Sequence, residues 1–285
     1  TLLGGIDQVL TFRMKAPVRS LREVAQLPRQ DIVLDFGPWA RINSLITFFT
    51  PARFKVGFNR KGQYRHYIYD KPVIHRDDVH EADNYWNLLR AIGMGARDRE
   101  PAIQATAGNT PVLPGAVVIL HPFPAGRGKE LKEWPIERWG ELGVFFCANG
   151  FQVAVSGGRD DAPAAELCKD KIVQAGGQAI NLAGKYTLVE MCDILRQARL
   201  LVTVNTGIMH LGAAVGTPLV ALHGPTSVRR WGPLGERVEN ITPASTCAPC
   251  LSLGFEYGCT EGGCMETITV EQVKEAALRL LKTDP

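Results

Sequence analysis

Between residues 116 and 222, short apolar runs alternate with helix-length stretches so regularly that few folds remain open to the chain. Residues 116–120, 151–156, 179–182, 200–204 and 219–222 are too short for helices and largely apolar, the pattern of strands covered on both faces. The stretches between them carry helix punctuation. Residues 135–149 begin with Pro135 and are followed by Gly150, and Gly216 closes a short helix over 206–215. Residues 162–174 have helix length, and Thr187 with Glu190 forms a capping box opening a helix that runs to Arg199. Strands separated by helices make a parallel sheet with helices on both faces. Ligands of such sheets sit at the carboxyl ends of the strands, which directs attention to the loops after Leu120, Ser156, Leu182, Val204 and Leu222.

The first part of the chain is less regular. Residues 7–12 and 31–36 read as short buried strands, 56–58 as another, and 81–92 as a helix with Gly93 past its end. Residues 101–115 hold Pro, Thr, Asn and Gly without a period and read as a linker. The division expected is therefore 1–108 and 109–285. The opening Thr-Leu-Leu-Gly-Gly reads as a loop entering a strand, so a preceding segment is expected.

Composition excludes several classes. With 45% hydrophobic and 21% charged residues the chain can bury a sizeable core. A net charge of +3 without a dense Lys/Arg run tolerates anionic substrates but is no nucleic-acid footprint. No apolar stretch approaches the length of a membrane span, and no signal segment opens the chain. Seven scattered cysteines do not form a secreted disulfide framework, so the cytoplasm is the expected compartment.

Two constellations carry chemistry. The first runs Val202-Thr-Val-Asn-Thr-Gly-Ile-Met-His210 and on to Gly224-Pro-Thr226. A strand ends, turns at Asn205-Thr206-Gly207 and starts a helix at once, leaving the N–H groups of Thr206, Gly207 and Ile208 free for an anion. His210 lies one turn in and can point back to the same spot. The alternative is a packed corner whose histidine only caps something. The second constellation is the Gly/Pro-rich loop after His121, with Arg127, Lys129 and Lys132 ahead of Trp134-Pro135. A cation there suits a diphosphate leaving group, unless the loop is only a solvated basic one.

Together these segments resemble the ADP-heptose heptosyltransferases of glycosyltransferase family nine. That family carries Lys-x-Trp-Pro after the first strand of its C-terminal domain, then Asp-Ser/Thr-Gly-x-x-His, then Gly-Pro-Thr. Here these read Lys132-Glu-Trp-Pro135, Asn205-Thr-Gly-Ile-Met-His210 and Gly224-Pro-Thr226. The late Cys247-Ala-Pro-Cys250, Cys264-Met265 and 268–273 are also similar, and in the first part Asp31-Ile-Val-Leu-Asp35 and Phe54-Lys-Val-Gly-Phe58 are looser matches.

The resemblance implies an α/β, GT-B type fold: two Rossmann-like domains with parallel sheets facing across a cleft, acceptor on the N-terminal side and donor on the C-terminal side. It implies metal-independent, inverting transfer of a sugar, first of all heptose from ADP-heptose, to a lipopolysaccharide core or similar acceptor. It places Lys132, Asn205, Thr206, Gly207 and His210 on the donor, with Tyr186 over the base. The absence of any Asp-x-Asp agrees with metal-free catalysis. The family's general base, an Asp in a Gly-Asp turn, has no counterpart here and is expected to lie upstream of Thr1. Asn205 replaces the motif's acid, which leaves open a transferase of another nucleotide sugar. A non-catalytic nucleotide-sugar-binding protein is the other alternative.

Two further features remain. Cys247-x2-Cys250-x8-Cys259-x4-Cys264 has spacing that could hold structural zinc or iron, or could simply be reduced thiols in a loop. Arg60, Lys61 and Arg65, beside His66, form a basic turn. Such a turn either is solvated or grips an anionic glycolipid acceptor in peripheral contact with the inner face of the cytoplasmic membrane.

Overall fold

The computed structural model describes residues 6–95, 103, 106–108, 110, 112–126, 128–251, 259 and 262–282. The chain divides into two compact units, Ile6–Arg99 and Glu100–Pro285.

The N-terminal unit comprises α1 (Pro17–Ala25), β1 (Gln30–Asp35), α2 (Arg41–Phe49), β2 (Ala52–Asn59), β3 (Lys71–Ile74) and α3 (Glu81–Arg90). Its three strands form a parallel sheet in the order β1-β2-β3, and the fully buried Val56, Phe58 and Leu88 centre its core on the middle strand. Residues 7–12, expected as a strand, are not one. Val9 and Leu10 are exposed there, and β1 pairs only with β2 among the described residues. A β-like run without a ladder to join has nothing to hold it extended. The 31–36 run does form a strand, but its first residues are exposed rather than buried because it lies at the sheet edge.

A buried ion pair ties this unit together. Gly57 lacks a side chain where the Tyr69 ring packs; a Cβ there would stand 2.3 Å from the ring. The Tyr69 hydroxyl donates to Asp35 Oδ2 at 2.6 Å, and Arg65 Nη2 donates to the same oxygen at 2.7 Å. The Gly37 amide donates to Asp35 Oδ1 at 2.9 Å. Burial first, and the adjoining carboxylate second, push the Tyr69 phenol well above its ordinary range. Arg65 is thus a buried partner of Asp35 rather than a surface cation gripping an acceptor, which corrects the expectation for that residue.

The C-terminal unit alternates strand and helix: β4 (Val117–His121), α4 (Ile136–Ala148), β5 (Gln152–Val155), α5 (Ala162–Gln174), β6 (Ala179–Asn181) and α6 (Leu188–Gln197). Then follow β7 (Leu200–Val204), α7 (Gly207–Ala214), β8 (Leu219–Leu222), α8 (Val228–Trp231), β9 (Val238–Ile241) and α9 (Val270–Lys282). The six strands are parallel in the order β6-β5-β4-β7-β8-β9. Period-two alternation divides their side chains between two cores. Val118, Leu120, Val153, Val202 and Val220 meet Trp139, Phe146, Ile172 and Val273 on one face. Val117, Ile119, Leu201 and Leu219 meet Met191, Leu195 and Met209 on the other. Every strand of the centre is covered twice, which is why each reads as a continuous apolar run.

Local details follow from the sequence. Thr187 and Glu190 cap α6 reciprocally, and bonds from the Thr187 backbone and hydroxyl hold the Glu190 carboxyl below its ordinary value. α7 lies close on the sheet because position 212 is glycine; a Cβ there would meet Leu201 Cδ2 at 2.6 Å. The stretch read as a linker is bound to the C-terminal unit where it is described. Asp193 of α6 accepts from the Ala107 amide and the Thr110 hydroxyl, Gln197 accepts from the Leu113 amide, and the Ala214 carbonyl accepts from Ile103.

Removing Asp35 would leave Arg65 buried without its counter-charge. Asp35→Ala is expected to lower stability by about 3–5 kcal/mol in urea denaturation. A loss below about 1 kcal/mol would mean that the guanidinium is hydrated after all.

Candidate functional site

In the C-terminal unit, strand order reverses between β4 and β7, so the loops leaving their carboxyl ends run apart and open a crevice. A cavity of about 520 Å³ lies there. Its wall takes His121 from the end of β4, Ser156 and Gly157 from the loop after β5, Gly184 and Tyr186 from the loop after β6, and Thr206 and Gly207 after β7. Leu188, Met191 and Leu211 add an apolar side. The volume suits a nucleotide-sized ligand.

The start of α7 supplies its polar end. The Asn205 amide still bonds to the Leu222 carbonyl, continuing the sheet, so the amides without a helical acceptor begin at Thr206. Their dipoles and the helix dipole favour an anion. A Cβ on Gly207 would meet nothing within 4 Å, so this glycine faces open space at the cavity wall.

The surrounding charges are arranged asymmetrically. His121 Nδ1 lies 2.9 Å from the Ser156 hydroxyl, and burial pushes its imidazole down to about 4, so the ring is neutral at physiological pH. His223, fully buried, is likewise pushed down to about 4, first by burial. Arg159 contributes to the wall a cation that the motif reading missed, although the Gly157-Gly158-Arg159 loop follows a strand end already marked as one to inspect. Lys132 does not line the cavity. Its Nζ donates to the carbonyl of Ala125, which does line it, at 2.9 Å, and burial lowers the Lys132 ammonium below its ordinary value. Trp134 of the same motif has a packing role: it is buried edge-to-face on Trp139 and donates its indole N–H to the Ile268 carbonyl at 2.9 Å. A larger groove of about 820 Å³ lies beside Trp134, but Glu130, Glu133, Asp170 and Glu266 line it against Lys171. That balance repels a diphosphate.

Of the residues expected on the donor, Tyr186, Thr206 and Gly207 meet at the cavity, and Lys132 reaches its rim. Asn205 and His210 are not in its wall. Asn205 is bonded to His223, with which His210 also interacts electrostatically. Arg127 lies outside the described residues, and Lys129 stands exposed on a 3-10 turn.

The family model described as "Glycosyltransferase family 9 (heptosyltransferase)" matches residues 24–260. The chain belongs to this family. Relatives include lipooligosaccharide heptosyltransferase 2 of Haemophilus influenzae, 34% identical over 39% of this chain and 32% of that protein. Lipopolysaccharide heptosyltransferase 1 of Pseudomonas aeruginosa is 32% identical over 61% of this chain and 45% of that protein. The chain thus spans less than half the length of these curated relatives. Among solved structures, a glycosyl transferase family 9 protein of Veillonella parvula superposes with TM-score 0.73 at 23% identity, over 94% of this chain and 79% of that one. E. coli heptosyltransferase WaaC with ADP superposes with TM-score 0.71 at 21% identity, covering 94% and 78%. The fold is the GT-B type of this family, each unit built on a parallel sheet.

The late cysteines of this family 9 chain are free thiols, Cys247 exposed, Cys250 and Cys259 half-buried and Cys264 buried. Among the described residues no group of three or more His, Cys, Asp or Glu side chains is placed to hold a metal ion. Cys264 is drawn into the core beneath α9, while Cys247 turns to the Ser245 hydroxyl. Burial, and the neighbouring thiols after it, raise Cys250 and Cys264 above the ordinary thiol value. The iron-containing glycosyltransferase TibC of enterotoxigenic E. coli superposes with TM-score 0.57 at 17% identity, over 82% of this chain and 62% of that one. In the N-terminal unit, Arg60 lies over the Trp39 ring at 4.6 Å and 3.5 Å from Asp77, and Lys61 is exposed.

Thiol labelling checks this arrangement. In native protein a maleimide should modify Cys247 quickly and leave the buried Cys168, Cys192 and Cys264 unreacted. Protection of Cys247 that a chelator relieves would instead reveal a bound metal.

Proposed function

We propose that this chain acts in an inverting, metal-independent glycosyltransferase that moves a sugar from a nucleotide-diphosphate donor, first of all heptose from ADP-heptose, to a lipopolysaccharide core or similar acceptor. The observation that carries the reading is the cavity at the strand-order reversal, where an α-helix starts beside the outward-facing Gly207. Structures of E. coli heptosyltransferase WaaC with ADP and with ADP-2-deoxy-2-fluoro heptose support the donor class.

In this reading the nucleobase packs on Tyr186, Leu188 and Met191, and the diphosphate meets the amides of Thr206, Gly207 and Ile208. Arg159 and Lys132 offset the charge that grows on the departing diphosphate. The cations act as fixed positive charges in place of a metal, and the neutral His121 adds a hydrogen-bonding wall without further charge. The C-terminal unit carries the donor and the N-terminal unit the acceptor, with Arg60 and Lys61 as the contacts to an anionic glycolipid. No residue of this chain is assigned as the base. Among the described residues no helix is long and apolar enough to cross a membrane. Action at the cytoplasmic face of the inner membrane, by peripheral contact with its surface, is part of the proposal. Asn205, in place of the family's acid, favours testing other nucleotide sugars beside ADP-heptose.

Titration calorimetry with ADP and ADP-heptose tests the pocket. Gly207→Val should abolish binding while the protein stays folded, because its side chain enters open space now held for the ligand. Lys132→Ala should weaken binding by about 1.5–3 kcal/mol, the range for a charge-assisted hydrogen bond. Wild-type affinity should fall at alkaline pH sooner than a solvated lysine would discharge, since burial lowers the Lys132 value. Normal binding by Gly207→Val would move the donor site elsewhere.

A further inference from the structure

At the carboxyl edge of the sheet, three neighbouring strands send polar side chains into one hydrogen-bonded row. Asn205 follows β7, His223 follows β8, and Asn240 lies in β9. Asn205 Nδ2 stands 3.1 Å from His223 Nδ1, and His223 Nε2 stands 2.8 Å from Asn240 Oδ1. Backbone bonds from Asn205 N to Leu222 O and from His223 N to Ile241 O fix the three positions relative to one another.

With the Asn205 amide nitrogen and the Asn240 amide oxygen turned to the ring, donor and acceptor chemistry leaves one assignment for this row. An amide nitrogen has only hydrogens to offer, so His223 Nδ1 must present a lone pair. An amide oxygen has only lone pairs, so Nε2 must carry the hydrogen. His223 is therefore the neutral Nε2–H tautomer, selected by Asn240. Its full burial, with His210 of α7 as the titratable neighbour that interacts with it, opposes any second proton. The Asn205 amide is then turned so that its nitrogen faces His223 and its Oδ1 faces away. That oxygen takes no hydrogen bond from the described residues, and it belongs to the residue directly before Thr206 and Gly207 of the cavity wall.

We infer that His223 and Asn240 are positioning residues that hold Asn205 Oδ1 as a fixed, uncharged acceptor for a hydroxyl of the bound nucleotide sugar. This rests on the donor-site reading above. It also accounts for the residue that departs from the family motif. A carboxylate at position 205 would face the Nδ1 lone pair across about 3 Å, and would be relieved either by protonating the ring or by moving its hydrogen to Nδ1 and turning the Asn240 amide. Asn205, a neutral His223 and Asn240 are a matched set, in which an acid at 205 would add a charge that the buried ring resists.

The test combines ring protonation with binding. Nitrogen-15 NMR of histidine-labelled protein, with the His223 signal assigned by its loss in His223→Gln, should show an Nε2–H ring that does not titrate between about pH 5.5 and 8. In Asn205→Asp the same ring should carry a hydrogen on Nδ1, as the other neutral tautomer or as imidazolium. Asn205→Ala and Asn240→Leu should each weaken ADP-sugar binding roughly three- to tenfold, the effect of one neutral hydrogen bond. The double variant should be no weaker than Asn205→Ala alone, because Asn240 acts through Asn205. Asn240→Asp, which still accepts from Nε2–H, should retain both tautomer and affinity. Parallel titrations with ADP separate a sugar hydroxyl, where ADP binding is unaffected, from a ribose hydroxyl, where it weakens equally. An Nδ1–H or charged ring in the wild type, or additive losses in the double variant, would overturn this inference while leaving the donor site standing. A protein with the Nε2–H ring that binds no nucleotide sugar would instead overturn the donor reading.

Discussion

The geometry of the C-terminal unit depends on one constraint, that its strands are parallel and buried on both faces. Parallel neighbours cannot be joined by tight turns, so every connection crosses a face of the sheet and returns to the same edge. All strand-to-helix turns therefore gather at the carboxyl edge, and the reversal of order between β4 and β7 separates them there. The cavity, the start of α7 and the Asn205–His223–Asn240 row all follow from that arrangement. Packing decides how close they come: glycine at 212 seats α7 on Leu201, so that Thr206 and Gly207 arrive at the cavity wall.

Charge is distributed to match. The cavity has cations at its side and rim, Arg159 and Lys132, while His121 in its wall and the buried His223 are held neutral by burial. The larger groove beside Trp134 is lined mainly by carboxylates. A dinegative ligand is thus directed to one opening and repelled from the other by the same loop, which carries Lys132 toward the first and Glu130 and Glu133 toward the second. The N-terminal unit uses its charges differently. Arg65 serves a buried ion pair with Asp35, and Arg60 is drawn to Trp39 and Asp77, so of the basic turn Lys61 stays free for solvent or ligand.

How much of this was legible beforehand depended on whether the signal was local. The strands at 200–204 and 219–222, the helix at 162–174 and the Thr187 capping box appear as read, because double burial and caps leave their mark within a few residues. Residues 7–12 misled, since an apolar run says nothing about whether a partner strand is in reach. Residues 101–115 read as a linker, because the bonds that hold Ala107, Thr110 and Leu113 come from Asp193 and Gln197, far along the chain. α1, α2, β3, α8, β9 and α9 were not read at all. At the site, Thr206, Gly207 and Tyr186 were legible from the turn and the family motif. Arg159, His223 and Asn240 were not: they join the site only when separate strands are laid side by side.

Which opening the nucleotide enters decides the position of the donor site. Amide hydrogen exchange, read by mass spectrometry with and without saturating ADP, resolves this along the chain. Protection is expected in residues 121–126, 156–159, 184–188 and 205–211, with the acidic groove around Trp134 and the exposed face of α5 unchanged. Protection centred on residues 133–136 and 167–174, with none at 205–211, would contradict it.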